Sequence, residues 1–129
     1  MSGKKALIIT DGSESIQLIA RFISDALAGY KVKICPADKF TGTALLPADV
    51  FFIGCEKPNP ASFAYLEEML SHINLVSRKC GIFSIKEKTL NYLRSIIKDS
   101  EAGLGELLPA ANSEVNKSAV KKWLEGLLK

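Results

Sequence analysis

A chain of 129 residues, 47% hydrophobic and 24% charged, has the composition of one ordinary globular domain able to bury its own core. Its net charge of +3 is mildly basic, but Lys57, Lys86, Lys88, Lys117, Lys121, Lys122 and Lys129 are scattered, which argues against a nucleic-acid stripe. Cys35, Cys55 and Cys80 lie far apart with no C-x-x-C, and His72 stands alone, so neither a disulfide framework nor a metal site is expected.

The chain opens MSGKKALIITDG, and its apolar run Ala6–Ile9 is too short for a signal peptide or a membrane span. A cytoplasmic protein with reduced, buried thiols is expected, with no membrane or nucleic-acid partner. If the middle and terminal lysines converge in space, they would suit an acidic partner.

Strand and helix patterns alternate along the chain. KALIIT (5–10) is a continuous apolar run, the mark of a strand covered on both faces. Ser15 to Leu27 follows as a helix, with Ile16, Ile19, Ala20, Ile23 and Leu27 at helical spacing and Gly29 closing it. YKVKIC (30–35) alternates, as an edge strand does. PADKFTGTALLPAD has room for only a short helix, and VFFIGC (50–55) is a third, central strand. In the next helix Asn59 is the expected cap, Pro60 takes the first turn, and Phe63, Leu66, Leu70 and Ile73 form the buried stripe.

KCGIFSI (79–85) is the fourth strand, Thr89–Lys98 a helix with Leu90, Leu93 and Ile97 inward, and GELLPA (105–110) a short fifth strand. Asn112 or Ser113 can cap the last helix, where Val120, Trp123, Leu124 and Leu127 face the core. Parallel strands joined by right-handed helical crossovers form an α/β three-layer sandwich with helices on both faces. With the polar-faced strand second in sequence, the sheet order 2-1-3-4-5 is expected. A ligand then belongs at the carboxyl ends of strands 1 and 3, against TDGSES and GCEKPNP.

Two families share this architecture. A response-regulator receiver needs an acceptor Asp ending strand 3, where this chain has Gly54-Cys55, and Asp11 stands alone after strand 1. The whole chain, 1–129, resembles the flavodoxins in size, element order and spacing. Their phosphate loop reads [ST]-x-[ST]-G-x-[ST], and the matching window here is TDGSES. Thr10 and Ser15 keep the outer hydroxyls, Gly12 and Ser13 depart from the pattern, and Asp11 and Glu14 bring carboxylates into the window. Glu14 is also well placed to stabilise the first helical turn.

The resemblance implies an FMN-binding electron carrier with a degenerate flavin site and a redox partner protein. Its site residues would be Thr10, Asp11, Gly12, Ser13, Glu14 and Ser15, with Cys55, Lys57, Ser84 and Lys86 from the loops after strands 3 and 4. CEKPNP has no aromatic residue, SIKEKTLNYL runs almost directly into a helix, and Tyr92 lies inside that helix. These features suit an alternative, a flavodoxin-fold interaction module that has lost FMN; a third possibility is a different phosphorylated ligand in the same crevice. Flavodoxins are usually acidic, so a basic chain implies a different partner surface. No Ser-His-Asp or Cys-His catalytic arrangement is visible.

Overall fold

The computed structural model describes residues 4–27, 29–39, 48–72, 79–84, 87–98, 103–104 and 117–127. The strands are β1 (Lys5–Thr10), β2 (Lys31–Pro36), β3 (Val50–Gly54), β4 (Lys79–Phe83) and β5 (Gly103–Leu104). The helices are α1 (Glu14–Ala26), α2 (Ala64–Leu70), α3 (Glu87–Lys98) and α4 (Lys117–Leu127). All described pairings are parallel and the sheet order is β2-β1-β3-β4-β5. The fifth strand is described only as Gly103–Leu104, just before the expected GELLPA segment; residues 105–110 lie outside the described residues.

Successive side chains of a strand leave opposite faces, so the apolar runs of β1, β3 and β4 feed two cores at once. Leu7, Ile9, Phe51, Ile53, Cys80 and Ile82 pack with Leu66 and Leu70 of α2 and Leu90, Leu93 and Ile97 of α3. Ala6, Ile8, Val50, Phe52 and Phe83 pack with Ile16, Ile19, Ala20 and Ile23 of α1 and Val120, Trp123 and Leu124 of α4. β2, at the edge, leaves Lys31, Lys33 and Ile34 exposed. The anticipated buried stripes are therefore present wherever they fall within the described residues; Ile73 lies outside them, as does the Leu127 side chain.

Large and small residues alternate across the central strands. Phe52 is paired with Gly81, and the Trp123 ring lies 5.7 Å from that of Phe52, tilted by 59°. A methyl group on Gly81 would come within 2.8 Å of both rings. Gly81→Ala should therefore cost about 1–3 kcal/mol of stability through overpacking. A lower urea midpoint at unchanged slope would register it, and an unchanged midpoint would mean that the two rings can shift.

Two helix starts differ in detail from the sequence reading. α1 begins at Glu14, with Ser13 as the extended residue before it, and Gly29 supplies the positive φ (91°) after its end. Asn59 does not act as a side-chain cap. It adopts a left-handed backbone (φ 56°), which Asn tolerates better than most residues, and Pro60 becomes the extended residue before a 3₁₀ turn, Ala61–Phe63, that leads into α2. Ala37–Lys39 forms the one described 3₁₀ turn between β2 and β3. Among the described residues no helix is long and apolar enough to cross a membrane.

Candidate functional site

The sheet order reverses between β1 and β3, and the pairing of Thr10 with Gly54 brings the ends of these two strands level. The turn Asp11–Ser13 leads straight into α1, so the first amides of that helix sit beside the start of the Cys55–Pro60 loop. A helix start leaves its first amides without intrahelical acceptors. Here Gln17 N–H donates to Ser13 O (2.9 Å), which is the first bond of α1. The N–H groups of Glu14, Ser15 and Ile16 have no hydrogen-bond acceptor among the described residues, and the Ser13 side chain does not cap them.

The polar side chains around those amides are engaged with one another. Asp11 turns its carboxylate inward: Oδ1 accepts from the Ser13 N–H (3.0 Å) and hydroxyl (2.7 Å), and Oδ2 accepts from the Glu56 N–H (2.9 Å). The Ser15 hydroxyl donates to Glu56 Oε2 (3.0 Å). Asp11 and Glu56 thus lash the two loops together reciprocally, one through a backbone amide and the other through a hydroxyl. The buried Thr10 hydroxyl donates to Gln17 Oε1 and accepts from the Gly12 N–H, both at 3.3 Å. Gly12 has φ 85°, so the turn takes a backbone conformation suited to glycine. Glu14 is exposed in the first turn of α1, where its charge favours the helix dipole.

The floor of the crevice is structural. Ser84 is buried and its hydroxyl donates to Cys55 O (2.7 Å), while Thr89 Oγ1 donates to Glu56 O (3.0 Å). Lys57 is exposed, and Lys86 lies outside the described residues. Tyr92 packs its ring near Phe63 (6.5 Å between centroids), with its hydroxyl buried and making no hydrogen bond of proper geometry among the described residues. Burial and then the charge of Glu67 push that hydroxyl well above its ordinary pKa. This aromatic belongs to the packing beneath the loop.

All three cysteines are free and buried. Burial, then the Asp11 and Glu67 carboxylates, push the Cys55 thiol from 9.0 up to about 12, and burial alone raises Cys80. An acid whose folded pKa lies above its unfolded value contributes stability that is fully present below the unfolded pKa. For Cys55 that contribution drains away between pH 9.0 and about 12. Urea midpoints should fall across this window, and the fall should be shallower in Cys55→Ala; identical slopes in the two proteins would contradict the assignment. Among the described residues no group of three or more His, Cys, Asp or Glu is placed to hold a metal, and His72 is exposed just past α2.

The structure therefore brings together Thr10, Asp11, Gly12, Ser13 and Ser15, and puts Glu14 at the rim. It adds Glu56 and Gln17, which the sequence reading did not single out, and it gives Cys55 and Ser84 a supporting place below the loops. Glu56 sits inside the CEKPNP window, yet nothing local marks it, because its partners lie 41 and 45 residues away. Arg21 is a third addition. It lines a shallow cavity of about 410 Å³ with Gly12, Glu14, Gln17 and Leu18, on the outer side of the same helix start.

Solved structures with this arrangement of elements include a flavodoxin from Streptococcus pneumoniae (15% identity, TM-score 0.78, 98% of each chain covered). Oxidised flavodoxin 2 from Bacillus cereus matches at 16% identity and TM-score 0.79, over 96% of this chain and 97% of that one. A Fusobacterium nucleatum flavodoxin variant bound to flavin mononucleotide matches at 9% identity and TM-score 0.79, over 97% and 95%. The chain has a flavodoxin-like fold. No family model matches it, and no curated protein sequence does. Identities this low carry the flavodoxin-like likeness no further than the fold, so the site must be judged on its own residues.

Proposed function

We propose that this protein is a flavodoxin-like electron carrier that binds FMN, with the phosphate at the start of α1. The observation that carries this reading is the row of unengaged amides, Glu14, Ser15 and Ile16, at the reversal point of the sheet. Backbone N–H groups at a helix N-terminus hold phosphate without any basic side chain. The FMN bound by the Fusobacterium nucleatum flavodoxin variant, on the same fold, supports the choice of ligand. Bound FMN would supply the redox chemistry; Thr10, Ser13 and Ser15 stand beside the amides as further donors, provided their present acceptors release them.

Those acceptors also favour a second reading, a flavodoxin-fold interaction module that binds no flavin. Ser15 and Ser13 already donate to carboxylates, Thr10 donates to Gln17, and the Tyr92 ring lies against Phe63. Titration of the purified protein into FMN, followed by flavin fluorescence, separates the two readings. The carrier requires saturable one-to-one quenching in the micromolar range, about −7 to −8 kcal/mol. No binding at about 1 mM FMN would leave the interaction module. If FMN binds, a redox partner protein follows as part of the same proposal.

A further inference from the structure

We propose that Lys5, Lys31 and Lys33, at the end of the sheet away from the crevice, form a docking surface for an acidic, extended protein segment. In the parallel register Lys5 lies beside Lys31 and Leu7 beside Lys33, so all three lysines leave the same face of the sheet. All three are exposed, and none of their ammonium groups forms an ion pair among the described residues. The nearby carboxylate, Asp49, is held through Oδ2 by the Lys5 backbone N–H (2.8 Å). Like charges set side by side on neighbouring strands weaken a sheet. The fold gains nothing visible from this arrangement.

Lysines on an edge strand commonly guard against strand-to-strand aggregation, which accounts for Lys31 and Lys33 on β2. It does not account for Lys5, which belongs to β1, an internal strand paired on both sides. A cavity of about 280 Å³ is lined by the three lysines together with Leu7, Val32 and Ala48 among the described residues. Such a pocket takes an apolar side chain, while the three ammonium groups around it take carboxylates on either side.

Extended protein fits this surface better than nucleic acid does. Among the described residues the cavity is lined by no aromatic residue, and three clustered cations are too few for a backbone-tracking stripe. No strand lies beyond β2 among the described residues, so an added segment can also pair with its main chain. The carboxylates of Asp11, Glu14 and Glu56 gather at the opposite end of the sheet, which repels an acidic partner there and steers it towards the lysines. Of the lysines whose convergence would suit an acidic partner, Lys88 on α3 and Lys121 and Lys122 on α4 lie on opposite faces of the sheet, while Lys86 and Lys129 lie outside the described residues.

The test uses two labelled peptides, Glu-Leu-Glu-Leu-Glu and Gln-Leu-Gln-Leu-Gln, with fluorescence anisotropy on the full chain. The acidic peptide should bind at least about tenfold more tightly at low salt, and its binding should weaken steeply by about 150 mM salt. Lys31→Gln with Lys33→Gln should weaken it about tenfold or more, whereas Lys88→Gln with Lys98→Gln should leave it within about twofold. Circular dichroism confirms that both pairs fold, and Lys5→Gln provides a third, single-site reading. Equal affinity for the two peptides, equal loss in both lysine pairs, or no binding at about 1 mM would overturn the proposal. So would tighter binding of a short DNA duplex at the same ionic strength. None of these readings depends on whether FMN binds.

Discussion

Glu56→Gln should tighten FMN binding by about tenfold, the equivalent of roughly 1.4 kcal/mol. The Glu56 carboxylate holds the Ser15 hydroxyl at 3.0 Å, beside the amide row where the phosphate is proposed to sit. A phosphate arriving there must take Ser15 from a carboxylate and then remain next to it. Two unit charges about 4 Å apart repel by roughly 1 kcal/mol in water and by roughly 4 kcal/mol near a protein surface. Glutamine keeps the acceptor for Ser15 and removes the charge, so the loops stay in place. Glu14→Gln is the internal comparison. Its side chain is exposed, so solvent screens it, and the change in FMN affinity should stay below about threefold. Measured by fluorescence titration at fixed ionic strength, equal effects for the two variants would remove Glu56 from its special place.

The second large effect falls on stability. Asp11→Ala removes the acceptor of three hydrogen bonds and strands the amides of Ser13 and Glu56, both part-buried. Hydrogen bonds to a charged group contribute about 1.5–3 kcal/mol each, and not additively. A loss of about 2–4 kcal/mol is expected, seen as a lower urea midpoint. Asp11→Asn retains one acceptor oxygen and should recover part of this loss. If alanine and asparagine both match the parent, the lashing between the β1 and β3 loops is incidental.

These two carboxylates mark the limit of what local sequence conveys. The strands were legible because burial on both faces leaves an unbroken apolar run, as in KALIIT and VFFIGC. The crevice between β1 and β3 was legible too, since the reversal point follows from element order alone. Asp11 was visible as a charge in the turn, but its inward orientation depends on the Glu56 amide, 45 residues away. Glu56 was harder still, because its role comes from the pairing of Thr10 with Gly54 that sets the two loops side by side. Glu14, the other carboxylate of the turn, is solvent-exposed at the rim. The same reasoning applies to the lysines, since Lys5 and Lys31 become neighbours only through strand register. Asn59 shows a local limit: the residue type that caps helices is also the one that tolerates a left-handed turn.

The reading stands or falls on the amides at the start of α1. Backbone amide resonances of the ¹⁵N-labelled protein, followed while FMN is added, test it most directly. The account predicts saturable movement of Glu14, Ser15 and Ile16 to lower field, as donors to a phosphate oxygen behave, with larger shifts at equal FMN in Glu56→Gln. Resonances that stay in place at about 1 mM FMN, or shifts confined to another face of the protein, would contradict it.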